Sequence, residues 1–290
     1  MATLTLLCVL WGVTQVSVKV ANAGVSPLLQ AGLRSTGAAL LLWAWSATRG
    51  VPLFRRDGSL GYGALIALLF AGEFVFLYWG FTYTTASRGI LFLYMSPFVV
   101  ALGAHWFVPG ERLHVAKVAG LLCAFVGMML AFGDGLRLPS QRELVGDLME
   151  LAAAVLWGVT TVVVKARRRA PLSPHKTLFY QLAGSAVVLL GLAVALREPG
   201  FTNPTPLVVA ALAYQTVVIA FASYLAWFWL LSRYAASELT SFSFLTPLFG
   251  MAAGGILLGE RITSALAVAM LFVAAGIYLV NRAPRPESTW

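Results

Sequence analysis

Charge is the scarcest commodity in this chain. Only 11% of its 290 residues are Asp, Glu, Lys or Arg, where a soluble domain of this length carries about a quarter. So few cannot clothe a water-facing surface, which excludes a soluble globular fold. Cysteine is nearly absent as well. Cys8 and Cys123 each lie inside an apolar stretch; they form no disulfide framework or metal cluster and read as small buried hydrophobes. The three histidines, His105, His114 and His175, fall near joins between apolar blocks. The sequence contains no H-E-x-x-H, no G-x-x-x-x-G-K-[ST] and no G-x-S-x-G, the signatures of zinc hydrolysis, a P-loop and a serine-hydrolase elbow. No metal, no cofactor and no enzymatic activity are therefore expected, and ATP-driven pumping within this chain has no nucleotide site to use.

Apolar residues are what is plentiful: 60% of the chain, with a mean hydropathy of +0.84. From Leu60 to Val108 the only formally charged side chains are Glu73 and Arg88. A bilayer-spanning helix needs ~20 mostly apolar residues. Breaking the chain at charged, Pro-rich and Gly-rich punctuation leaves ten such blocks. They run over 3–22, 27–47, 60–83, 87–108, 115–133, 146–166, 177–197, 206–231, 236–258 and 263–281. The fold class expected is all-α integral membrane, with ten transmembrane helices and the lipid bilayer as a partner. The tail from Asn281 reads as disordered. Ala21-Asn22-Ala23 has the form of a signal-peptide cleavage site. The first block has no Lys or Arg ahead of it, however, and its near-copy is internal, so it reads as a retained helix.

Thirteen of the twenty Lys and Arg residues lie in or beside the even-numbered joins and the tail, and six beside the odd-numbered ones. By the positive-inside rule the even joins and both termini face the cytoplasm. The net charge of +9 is explained by this and calls for no nucleic-acid partner. The run Arg167-Arg168-Arg169 is a topology anchor or a lipid-phosphate patch.

One phrase occurs twice. Residues 9–19 read VLWGVTQVSVK and residues 155–165 read VLWGVTTVVVK. Ala86-Ser87 returns as Ala236-Ser237, Ser96-Pro97 as Thr246-Pro247, Gly110-Glu111-Arg112 as Gly259-Glu260-Arg261, and Gly127 as Gly276. The chain thus divides into two five-helix units, 1–143 and 147–290. Five is odd, so the second unit must enter the membrane in the opposite sense. Inverted repeats are a common ground plan of secondary transporters, because two similar halves can exchange conformations and open the centre to either side. The alternative is a duplicated membrane scaffold without transport.

The phrases LLCVLWGVTQVSVK and SPLLQAGLRSTGAALLL, the Ser96-Pro97 block ending in PGERL, and the echoes LTPLFG and LLGERI resemble the paired EamA units of the drug/metabolite transporter superfamily. With its length and its many Trp and Tyr, the chain is similar within it to bacterial amino-acid exporters of the YddG type. This resemblance implies a bacterial inner-membrane exporter of amino acids, aromatic ones included, working by alternating access. Within transport, the rival substrates are drugs, nucleosides or sugar derivatives.

Several residues are candidates for a substrate site. Trp11, Thr14, Gln15 and Val18 share one face of block 1 at i, i+3, i+4 and i+7, and Trp157, Thr160, Thr161 and Val164 repeat it in block 6. Such stripes line a wet cavity or bond neighbouring helices. Pro97 and Pro247, at matching places in blocks 4 and 9, are candidate gating kinks or static bends. Tyr94 and Phe244, one turn earlier, could offer aromatic faces, as could Tyr78 and Trp227. Glu73 reads as the only acid deep within a span. It is a candidate for an ammonium ligand or for proton coupling, and its counterpart is Ser223. Arg34, whose counterpart is Ser185, could receive a carboxylate or pair structurally. A cavity between blocks 1, 3, 4, 6, 8 and 9 is expected, with blocks 5 and 10 bracing the outside. The glycines of blocks 5 and 10 could pair two subunits or pack within a monomer.

Overall fold

A computed structural model describes residues 2–133, 138–167, 172–258 and 264–282, without the side chains of Gln15, Lys19, Ala86, Ser87, 253–258, Ser264 and Ala265. Arg168, Arg169, Glu260, Arg261 and the tail beyond Arg282 therefore lie outside the described residues. Those described are almost entirely helical, forming ten consecutive rods. These are α1 (Ala2–Asn22), α2 (Pro27–Thr48), α3 (Leu60–Tyr83), α4 (Ala86–Leu93 and Ser96–Phe107), α5 (Val115–Phe132), α6 (Gln141–Ala166), α7 (Pro174–Ala195), α8 (Pro206–Arg233), α9 (Ala236–Leu258) and α10 (Ser264–Arg282). Seven of them contain stretches long and apolar enough to cross a bilayer. Their outward faces carry Leu40, Leu65, Leu68, Leu102 and Leu271, a surface suited to lipid. This is a multi-pass membrane protein.

Two helices begin earlier than their hydropathy indicates, because polar caps start them. Ser140 accepts from the Glu143 amide while Glu143 reaches back to the Ser140 amide. This capping box satisfies two otherwise orphaned donors and starts α6 at Gln141. Ser173 caps α7 in the same way through Lys176 N–H at 3.2 Å.

Both proline-bearing helices break where proline chemistry requires. A proline ring clashes with the carbonyl four residues back and donates no hydrogen bond. Four residues before Pro97 is Leu93, where α4 is interrupted. Four before Pro247 is Ser243, at the middle of a 3₁₀ turn over Phe242–Phe244. A third irregularity was not foreseen: α8 is π-helical over Tyr214–Ser223, a geometry often associated with functional positions.

The helices contact one another in a pattern that survives exchange of the two halves. α5 packs on α10 and α2 on α7, while α3 with α6 is echoed by α8 with α1, and α4 with α6 by α9 with α1. At the α5–α10 crossing, a Cβ on Gly120 would sit 2.6 Å from the Gly276 carbonyl oxygen, and one on Gly276 would sit 2.5 Å from that of Gly120. Side chains are absent there so that the backbones can touch. These glycines pack within one chain.

Among the described residues, odd and even joins gather at opposite ends. At the odd end the join after α1 meets the join after α7: Ser26 N–H donates to Gly200 O at 2.9 Å, and Glu198 caps the first amides of α2. At the even end, Lys176 bonds Asp57 at 2.7 Å. Glu111 there accepts from the amides of Ala236 and Ser237 at 2.8 and 3.0 Å, capping α9.

Candidate functional site

The centre of the bundle contains a cavity of about 120 Å³, room for several waters at about 30 Å³ each. Trp11, Thr14 and Val18 reach it from α1, Arg34 from α2, Glu73 and Tyr78 from α3, and Tyr94 from α4. Trp157, Thr160 and Thr161 reach it from α6, and Trp227 from α8. The two polar stripes anticipated on α1 and α6 thus meet around one space.

Other expectations fare differently. Phe244 is fully buried outside the cavity, its ring edge-to-face with Phe98 at 6.1 Å. Among the described residues none of α9 lines the space, because α9 turns this face toward α1 and α4; α2 and α7 line it instead. Pro97 and Pro247 are not in its wall, although the α4 break places Leu93 and Tyr94 there. The Gln15 side chain lies outside what is described.

Aromatic rings supply nine of the nineteen residues in the wall. Trp11 stands edge-on to Trp227 at 5.4 Å and to Tyr224 at 6.4 Å, and Tyr94 meets Trp157 at 5.9 Å. Trp11 Nε1 donates to Ser223 Oγ at 2.9 Å, which itself donates to Ile219 O within the π-helical segment. Ser223, the counterpart of Glu73, thus orients a tryptophan rather than facing the cavity. The three threonines donate to their own helices, Thr14 to Leu10 O, Thr160 to Leu156 O and Thr161 to Trp157 O. Thr160 and Thr161 do not tie helices together and keep acceptor capacity toward the cavity, whereas Thr14 also meets the Tyr214 hydroxyl of α8.

The charged groups are few and unusual. Arg34 is only 1% exposed, and its guanidinium lies 4.0 Å above the centre of the Phe74 ring. Nε and Nη2 have no hydrogen-bond partner. Glu73, also buried, lines the same space, and no ion pair joins the two. An arginine held over an aromatic face retains its in-plane donors for a further ligand.

Sequence reasoning missed Gln181 of α7. It lines the cavity, is 0% exposed, and has both amide atoms unpartnered. The available signal was the repeat: Gln181 is to α7 what Gln30 is to α2, in the register that pairs Arg34 with Ser185. Also missed were Phe70, Phe74 and Tyr224.

A second, wider cavity of about 620 Å³ opens at the even end, lined by residues that include Tyr62, Glu111, Lys165, Arg167 and Arg233. Phe228 lines both cavities and stands where they meet.

The profile of the EamA-like transporter family matches residues 1–133 and again residues 144–282. The chain belongs to that family. Among similar proteins is the uncharacterized transporter YoaV of Bacillus subtilis, 26% identical over 271 residues that cover 93% of this chain and 92% of the relative. Another, from Escherichia coli, carries the name probable amino-acid metabolite efflux pump; it is 28% identical over 286 residues, covering 94% of this chain and 92% of the relative. A solved crystal structure superposes with a TM-score of 0.82 at 22% identity, covering 95% of this chain and 94% of that one; it bears on the fold alone.

Proposed function

We propose that this EamA-like transporter exports amino acids of broad side-chain type, aromatic ones included, across a bacterial inner membrane. The observation that carries this is the pair of unpartnered Arg34 donors in a central cavity that also holds Glu73. A substrate carboxylate would take the guanidinium edge, since charge-assisted bonds of this kind are about twice as strong as neutral ones. The ammonium would lie toward Glu73 and the threonine hydroxyls. The side chain would rest among Trp11, Trp157, Tyr94 and Trp227, whose faces grip apolar groups without selecting one shape. Relatives named as probable amino-acid metabolite efflux pumps support this choice.

Transport would proceed by alternating access. The exchangeable contact pattern and the gathering of odd and even joins at opposite ends support two inverted five-helix halves, 1–143 and 147–290. With basic joins facing the cytoplasm, the wide cavity is a cytoplasmic vestibule, both termini are cytoplasmic, and Phe228 separates vestibule from site. Pro97 and Pro247, beside breaks in α4 and α9, are the hinges. A proton taken by Glu73 would couple the cycle to the proton gradient, and a monomer suffices. The test is counterflow of labelled amino acids in proteoliposomes. Saturable exchange that Arg34→Gln weakens is expected. Exchange of nucleosides, drugs or sugar derivatives but not of amino acids would replace the substrate class, and no flux of any solute would leave a scaffold.

A further inference from the structure

Glu73 is not the one acid deep within the bundle. Because α6 starts at Gln141 rather than near residue 146, Glu150 lies nine residues in, about 13 Å along the axis. It is 0% exposed, and neither carboxylate oxygen has a hydrogen-bond partner. The charge it would need is already committed. Arg88 of α4 bonds Asp147 through Nε, at 3.0 Å to Oδ2, and through Nη2. Thr84 Oγ1 donates to Asp147 Oδ1 at 2.6 Å. One arginine and one aspartate form a neutral pair, and Glu150 is a second carboxylate beside it that meets no cation among the described residues.

The surroundings leave no space for a hydrated ion. A Cβ on Gly80 of α3 would come within 2.6 Å of Glu150 Oε1, so the carboxyl is pressed against the α3 backbone. The other titratable or charged groups among the described residues are removed from it. Tyr83 and Arg142 stack at the rim, 5.5 Å apart, Glu143 is engaged in the α6 cap, and Glu73 lies seven residues deeper on α3. Lys165 and the start of α9 are at the far end of α6. A lone ionised carboxylate in such a place is far more costly to bury than the neutral acid. The cation of the right size is a proton.

We propose that Glu150 is a proton-binding site at the odd-join end of the bundle, protonated while α3, α4 and α6 are packed together. Opening that end to water lets the carboxyl release its proton to the adjacent solution; closing it takes one up. Opening is therefore linked to the pH on that side and favoured by alkaline solution. With one proton released per opening, the open population rises up to about tenfold per pH unit. The site is separate from Glu73, and its effect on opening presupposes the alternating access proposed above.

The first test does not depend on transport. The purified full chain at neutral pH should show, in its infrared spectrum, a protonated-carboxyl stretch that Glu150→Gln removes and Glu73→Gln does not abolish. The second uses Thr160→Cys in a chain without Cys8 and Cys123, labelled from the odd-join side by an impermeant maleimide. Labelling should accelerate with alkaline pH more steeply than the thiol's own ionisation provides, and Glu150→Gln, a permanent mimic of the neutral acid, should label slowly and keep only the thiol's own pH dependence. An infrared spectrum unchanged by Glu150→Gln would overturn the assignment whatever the protein transports. So would a pH dependence of labelling as steep in that variant as with Glu150 present, once the thiol's own ionisation is subtracted.

Discussion

Replacing Arg34 by Gln is the sharpest perturbation of the proposed site. The guanidinium is held over Phe74 with two unpartnered donors, and the glutamine retains polarity without charge or fork geometry. A hydrogen bond to a charged group contributes about 1.5–3 kcal/mol. Removing the carboxylate's partner from a guanidinium this buried should therefore cost about 2–3 kcal/mol. At 1.4 kcal/mol per factor of ten, the half-saturating concentration of an amino acid should rise roughly 30- to 150-fold. Counterflow should be measured in parallel for an amino acid and for its decarboxylated amine. The amine never met Arg34, so its exchange should change little. Arg34→Lys should recover only part of the loss, because an ammonium lacks the planar fork. Equal losses for amino acid and amine, or no loss for either, would refute the placing of the carboxylate.

Pro97→Ala, by restoring a donor opposite the Leu93 carbonyl, should straighten α4 and slow exchange several-fold, while substrate binding measured by fluorescence quenching persists. Phe228→Ala should join the two cavities and raise leak of substrate down its gradient in proteoliposome efflux. Gly276→Val would drive a side chain into the α5 backbone, where a Cβ already has only 2.5 Å; overpacking of this kind costs about 1–3 kcal/mol, to be read as a lower thermal midpoint in detergent. At the even end, the Lys176 ammonium and then the Ser59 hydroxyl hold the Asp57 carboxyl well below the usual carboxylate range. A carboxyl shifted down in the folded state stabilises above its unfolded value of about 4 and loses that contribution as pH falls below it. Asp57→Asn should thus lower the thermal midpoint at neutral pH and not in strong acid.

The ten rods could be read directly from the sequence because a bilayer imposes one length and one polarity on every crossing. Errors arose where polar residues do structural work. The charged first turn of α6 hid both the capping box at Ser140 and the depth of Glu150, since hydropathy discounts the very residues that start a helix. The π-helical stretch of α8 has an ordinary apolar composition, so nothing in YQTVVIAFAS announced it. Part of the site was visible as the stripes Trp11/Thr14 and Trp157/Thr160/Thr161, because helical spacing alone puts each on one face. Which helices bring partners to that face depends on crossing geometry. That is why α7 and Gln181 were overlooked and Phe244 was given to a cavity it does not reach.

The central claim is that one site in mid-membrane faces each side in turn. Thr160→Cys, in a chain lacking Cys8 and Cys123 and reconstituted in vesicles of known orientation, reports on it directly. Impermeant maleimide added to either side alone should label this residue, and substrate should slow both reactions. Labelling from one side only, or from neither, would contradict the account.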